Sequence, residues 1–127
     1  MMPVNKRNKQ ATGKMCETLA VSYLELTGYQ LLERNWRHGR VEIDLIAYKA
    51  GTLHFIEVKT RRSLRFGWPE EHIKPKKIIR MMTAAEAYLQ TVPKSSLFQL
   101  DILSIVLSGP KPPVFWLIED VIMQESF

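Results

Sequence analysis

Apolar residues recur along this chain with two periods, and the switches between them lay out its elements. Met15, Leu19, Ala20, Tyr23 and Leu24 keep a helical spacing, with Thr12 as the N-cap and Gly28 at the C-terminal stop. Residues 29–36 read as a strand, and Arg37-His38-Gly39-Arg40 as a basic turn. From 41 to 48 the chain alternates, with Val41, Ile43, Leu45 and Ala47 on one face and Glu42, Asp44, Ile46 and Tyr48 on the other. Ala50-Gly51 marks a turn, and residues 53–61 return as a third strand. Pro75 suits the first turn of a second helix, whose stripe is Ile78, Met82, Ala85 and Leu89 and which ends before Pro93. Two apolar strands follow, 97–107 and 114–118, around a turn at 109–113. Helix, three strands, helix, two strands describes an α/β domain with a central mixed five-stranded sheet flanked by helices.

At 127 residues the chain suits one core, and 46% hydrophobic residues suffice to fill it. Residues 1–11 are polar and basic and read as a flexible arm, leaving 12–127 as a single domain. That arm lacks the apolar segment of a signal peptide, and no apolar run nears the ~20 residues of a membrane span, so a cytoplasmic location is expected. Eighteen Lys and Arg against thirteen Asp and Glu leave a charge of +5, which suits a polyanionic partner without requiring one. Cys16 is the only cysteine, so no intramolecular disulfide forms, and it reads as a small packing residue. His38, His54 and His72 keep no ligand spacing, so a zinc site is not expected and all three read as bystanders.

The chemistry concentrates in Glu42-Ile43-Asp44-Leu45-Ile46-Ala47 and Phe55-Ile56-Glu57-Val58-Lys59-Thr60-Arg61. On a strand, Glu57, Lys59 and Arg61 share a face with Phe55. A two-residue loop at Ala50-Gly51 pairs Lys49 with Thr52, which sets Asp44 opposite Glu57 and Glu42 opposite Lys59. A bulged turn at Ala50-Gly51, not itself a strong type I′ sequence, shifts that register by one residue. Two carboxylates facing each other repel unless a cation lies between them or one is protonated. Mg²⁺ held by one or two carboxylates, water and a substrate phosphate fits this arrangement.

Asp44 followed by Glu57-Val58-Lys59 on the next strand resembles the PD-(D/E)XK nuclease signature, and Asp44-Leu45-Ile46-Ala47 resembles its Holliday-junction-resolvase form. Across residues 12–105 the chain resembles the YraN family of bacterial proteins, through Gly13, Glu17, Asn35-Trp36-Arg37, the two acidic strands, Gly67, Pro69, Lys77 and Asp101. Val41 and Leu100 depart from that family's usual glycine and phenylalanine, and neither is a ligand position. The resemblance implies a restriction-endonuclease-like (tRNA-endonuclease-like) core and a Mg²⁺- or Mn²⁺-dependent nuclease acting on structured or branched nucleic acid, DNA before RNA. It implies that Asp44, Glu57 and the Val58 carbonyl bind the metal, with Glu17 reaching in from the first helix and Glu42 as an auxiliary acid. Lys59 is implied to orient or deprotonate the attacking water and to stabilise phosphorane charge. Lys77 and Arg61 are better placed to hold phosphates than to do chemistry. Arg62 and Arg65, in a basic loop that reads plainly as solvated, are expected to contact phosphate because that loop lies beside the metal site.

Plainer readings stand beside these. Glu57-x-Lys59 is common on solvated strand faces, Glu17 can pair with Lys14 on a helix surface, and Trp36 suits the core. Lys74, Lys76, Lys77 and Arg80 open a helix where cations oppose the macrodipole, which hints at a use elsewhere. Asp101, on an apolar strand, reads as a structural hydrogen-bond acceptor. The alternative function is a nucleic-acid-binding module with a vestigial acidic pair. Resolvase-like pairing suggests a homodimer, with Phe115 and Trp116 as surface or core residues.

Overall fold

The computed structural model describes residues 6–62, 74–93 and 96–122, with side chains from residue 13 onward. Helix α1 (Lys6–Leu26) precedes strands β1 (Gln30–His38), β2 (Val41–Lys49) and β3 (Thr52–Arg61). Helix α2 (Pro75–Leu89) then leads to β4 (Leu97–Val106) and β5 (Val114–Ile118). The strands form one sheet in the order β1-β2-β3-β4-β5. Only β3 and β4 are parallel, and α2 is the crossover between them. This is the α/β architecture expected: a mixed five-stranded sheet with two flanking helices, consistent with a restriction-endonuclease-like core.

The two faces of the sheet bury separate cores. α1 presents Cys16, Ala20, Val21 and Leu24 to Leu45, Ala47, Ile56, Leu103 and Ile105. α2 presents Met81, Ala84, Ala85 and Tyr88 to Ile46, Phe55, Leu100 and Ile102. The sequence stripe of α2 was thus rotated by about one position, because Ile78, Met82 and Leu89 flank that core rather than centre it. Ile78, Ile79, Met81, Met82, Ala84 and Ala85 leave several faces apolar, so period alone does not choose among them. Trp36 packs against the α2 core, edge-on to Tyr88 at 5.3 Å. Phe115 stacks on Tyr23 at 4.6 Å and belongs to the α1 core, whereas Trp116 is more exposed.

α1 starts earlier than expected: residues 6–11 are helical, and Thr12 lies inside the helix rather than at its N-cap. Its end is as read. Gly28 takes φ 97, its N–H donates to the Glu25 carbonyl, and the Tyr29 N–H donates back to Leu24 at 2.9 Å. Arg65, Gly67, Pro69 and His72 lie outside the described residues.

The β2–β3 hairpin places Ala50 at φ 50 and Gly51 at φ 81 between the paired Lys49 and Thr52. Left-handed backbone costs an L-residue about 1 kcal/mol, so Ala50→Gly is expected to stabilise the fold by roughly half that after the added unfolded-state entropy. Chemical denaturation of the two proteins measures it; a less stable variant would show that Ala50 is unstrained.

Candidate functional site

The β2–β3 ladder keeps the expected register from Lys49↔Thr52 to Leu45↔Ile56 and ends there. The direct cross-strand pairs expected next, Asp44 with Glu57 and Glu42 with Lys59, do not form. Instead the Asp44 carboxylate turns into the opening between the strands, where the Val58 N–H donates to Oδ2 at 2.8 Å. β2 also changes its pleat at this point. Val41 and Ile43 pack on the α2 side, but Leu45 and Ala47 pack on the α1 side, so the single face expected for these four is split. On β1, Asn35 takes φ 51 between Arg34 and Trp36, the partners of Leu45 and Ile43. Both strands therefore distort beside Asp44.

That distortion gives Asp44 access to both sides of the sheet. On the α2 side a cleft of about 190 Å³ is lined by Arg40, Glu42, Asp44, Glu57, Lys77 and Arg80, among others. On the α1 side a hollow of about 140 Å³ is lined by Glu17, Asp44, Val58 and Thr60, among others. Glu57 alternates with Leu53 and Phe55 and so faces α2, where Lys77 Nζ lies 2.6 Å from its Oε1. The cations at the start of α2, unfavourable for the helix itself, thus stand over the carboxylates. Glu17 faces the hollow, accepting from Asn35 Nδ2 at 3.0 Å and lying 3.7 Å from Arg34 Nε. Its partners are on β1 rather than Lys14.

Burial, and after it the charge of Glu57, raises the Asp44 carboxyl from 3.8 to about 6, although the Val58 N–H opposes the shift. Burial also lowers the Lys59 ammonium, aided by Arg61, Lys77 and Lys74 and opposed by Glu57. A strand residue directs its N–H and C=O to the same side, so the Val58 carbonyl also faces the opening towards β2. The lone-pair donors that Asp44, Glu57 and Val58 can offer a cation are therefore all oxygens, and hard divalent cations select oxygen.

The remaining expected residues separate. Glu42 lines the cleft but pairs with Arg37 Nη2 at 3.3 Å, across β1–β2. Arg61 shares the strand face of Glu57 and Lys59, and its Nε is buried without a hydrogen-bond partner among the described residues. Arg62 is exposed at the strand end, and Arg65 falls outside the described residues. Lys77, expected to hold phosphate, is paired here with the Glu57 carboxylate.

Two residues were given no role in the sequence reading. Asn35 orders Glu17, and its tolerance of left-handed backbone was the available signal. His54, taken for a bystander, is buried and bonded through Nδ1 to Asp101 Oδ2 at 2.6 Å. Asp101 is the structural acceptor expected, since its Oδ1 also accepts from Gln99 Nε2 and the Asp120 N–H, both at 2.9 Å. No local spacing could have joined residues 54 and 101.

Residues 16–105, the span that carries this site, match the family described as Uncharacterised protein family UPF0102. The chain belongs to that family. A UPF0102 protein of Dictyoglomus thermophilum is 42% identical over 110 residues, covering 86% of this chain and 93% of the relative. That of Cytophaga hutchinsonii is 41% identical over 98 residues, covering 77% and 85%. That of Flavobacterium johnsoniae is 47% identical over 77 residues, covering 61% and 63%. The YraN resemblance read from the sequence is thereby borne out. No helix among the described residues is long and apolar enough to cross a membrane.

Proposed function

We propose that this UPF0102 protein hydrolyses phosphodiester bonds in structured or branched nucleic acid, using Mg²⁺ or Mn²⁺ held by Asp44, Glu57 and the Val58 carbonyl. The observation that carries this reading is the Asp44 carboxylate itself. It is turned out of the sheet ladder into a space facing Glu57, where burial and like charge disfavour its ionised form. The ionised pair costs the metal-free protein stability that Lys77 offsets only in part, and a divalent cation between the carboxylates would offset the rest. When bound, the metal supplies Lewis-acid polarisation of the phosphate and a more acidic water.

The chain's own residues supply the rest. Lys59, on the face of Glu57, balances negative charge gathering on the phosphate and orients the attacking water. Lys77 neutralises Glu57 in the metal-free protein and stands ready to contact phosphate once another cation takes that role. Glu17, held by Asn35 and Arg34, adds an acid from the opposite side of Asp44. Arg61 and Arg62 continue the positive surface along the exit of β3, where backbone phosphates would run. DNA is the preferred partner, and a homodimer would present two such sites to a branched substrate.

Cleavage of branched DNA, single-stranded DNA and structured RNA, measured with Mg²⁺ or Mn²⁺ for the wild type and Glu57→Gln, tests the proposal. Metal-dependent cleavage lost in Glu57→Gln is the expected result. Binding without cleavage by the wild type would leave a nucleic-acid-binding module, and equal cleavage by both proteins would move the chemistry elsewhere.

A further inference from the structure

The Asp44–Glu57 cleft accounts for Lys77 but not for the cations around it. Residues 74–80, at the start of α2, hold Lys74, Lys76, Lys77 and Arg80, and the first turn holds no acid. The N-cap, where Ser, Thr, Asp or Asn would accept a first-turn N–H, is Lys74. Cations there also oppose the macrodipole, so the helix opens with a composition that works against it. Local rules broken in this way are expected where the residues serve a site.

Three of these cations form a row. Lys74, Lys77 and Arg80 recur every third residue, so each neighbours the next along one side of α2. Separate observations place the two ends. Beyond burial, which lowers it most, the Lys59 ammonium is lowered by the charges of Arg61, Lys77 and Lys74, so Lys74 stands at the Lys59–Arg61 end. Arg80 lines the cleft with Glu42, Asp44 and Glu57, and Arg40 of the β1–β2 turn lines it too. Lys77, in the middle, sits on Glu57 at 2.6 Å. The row therefore runs along the cleft, from the Lys59–Arg61 side at Lys74 to the Arg40 side at Arg80.

The fold leaves most of this charge unused. Lys74, Arg80 and Arg40 are exposed and form no ion pair among the described residues. Glu42, the acid that could have paired with them, is taken by Arg37 on β1.

We propose that Lys74, Lys77 and Arg80 form a phosphate track, along which one strand of the nucleic acid passes the cleft, with Arg40 meeting the same strand beyond Arg80. The inference rests on the reading of that cleft as the point of cleavage. The phosphate at the carboxylates then lies beside Lys77, and those on its two sides meet Lys74 and Arg80. Six residues of helix rise about 9 Å. Successive phosphates of one B-DNA strand advance about 3.4 Å along the axis, so the row accommodates roughly three of them. Contacts of this kind position a backbone without reading its bases, so the track sets the line of the strand and adds affinity for any sequence.

Binding of a fluorescein-labelled DNA duplex to the full chain is measured by anisotropy across a salt series in EDTA, where metal-dependent cleavage cannot intervene. Lys74→Gln, Arg80→Gln and the double variant are compared with the wild type and with Lys14→Gln. The last removes the same charge from exposed Lys14 on α1, which covers the other face of the sheet. Each track variant is expected to reduce the salt slope by about one unit and the double variant by about two, with affinity about tenfold or more weaker in the double. Lys14→Gln should leave both nearly unchanged. The melting temperature of Lys74→Gln should equal or exceed that of the wild type, because a cation leaves the start of α2. An unchanged slope in the double variant, an equal loss in Lys14→Gln, or no binding by the wild type overturns the track. A clear fall in the melting temperature of Lys74→Gln does so too, because the cation would then serve the helix. Equal cleavage by Glu57→Gln and the wild type would instead sink the reading of the cleft, and the binding data would still decide whether α2 carries the strand.

Discussion

Asp44→Asn is expected to raise the melting temperature of the metal-free protein at pH 8 and to abolish its stabilisation by Mg²⁺. The Asp44 carboxyl sits at about 6 in the folded chain, against 3.8 for an unperturbed carboxyl. Its folded value exceeds its unfolded value, so the native state holds this proton more tightly. The resulting stability is complete below pH 3.8 and is lost as pH rises through about 6. Two units correspond to about 3 kcal/mol, and partial solvent access reduces this to roughly 1–2 kcal/mol. Asparagine keeps the shape, and its amide oxygen still accepts from the Val58 N–H, while the charge beside Glu57 is gone. The wild type should therefore lose stability between pH 4 and 7 relative to the variant. Mg²⁺ at a hundred times its dissociation constant should return about 2.7 kcal/mol to the wild type alone. Thermal melts at pH 5 and pH 8, with and without Mg²⁺, measure both effects. An equal Mg²⁺ response in Asp44→Asn would place the ion elsewhere, and a lower metal-free melting point at pH 8 would show that the ionised carboxylate is not a cost.

The hairpin that carries the site was legible because its turn and pattern agree. Ala50-Gly51 separates two alternating runs, and the register through Leu45↔Ile56 follows from a two-residue loop. The break at Asp44 was not legible, since residues 41–48 alternate with no glycine or proline to mark an irregularity. The distortion answers competing demands: Ile43 follows Trp36 into the α2 core while Leu45 serves the α1 core. Those demands arise only once both helices are docked. The same holds for His54. Its partner comes from β4, two positions beyond its own parallel neighbour Gln99, and that adjacency exists only in the assembled sheet. The family resemblance marks Lys77 as a phosphate contact, and the structure adds that the start of α2 brings it onto Glu57.

Lys59→Ala is expected to abolish most cleavage while leaving nucleic-acid affinity nearly intact, and Arg62→Ala to do the reverse. Lys59 is partly buried beside Glu57 on the cleft face, so its charge acts in a poorly screened environment. Losing one charge that meets a developing oxyanion costs about a hundredfold or more in rate. The phosphate carries less negative charge at the attacked centre before the transition state, so substrate binding depends on Lys59 far less. Arg62 is exposed at the end of β3, where it can neutralise a backbone phosphate, and it does not line the carboxylates' cleft. Its removal should weaken binding and reduce the salt slope by about one unit on duplex DNA, with cleavage at saturating substrate retained. Because burial and the neighbouring Arg61, Lys77 and Lys74 lower the Lys59 ammonium, cleavage should also fall at alkaline pH, as Lys59 loses its proton below the usual lysine range. Lys59→Arg, which stays charged, should move that alkaline limb upward whatever its absolute rate. Affinity across a salt series and single-turnover cleavage across pH separate these effects for each variant. Cleavage by Lys59→Ala at the wild-type rate, or an alkaline limb that does not move in Lys59→Arg, would remove Lys59 from the reaction, because only a cation acting on the reacting phosphate links both observations.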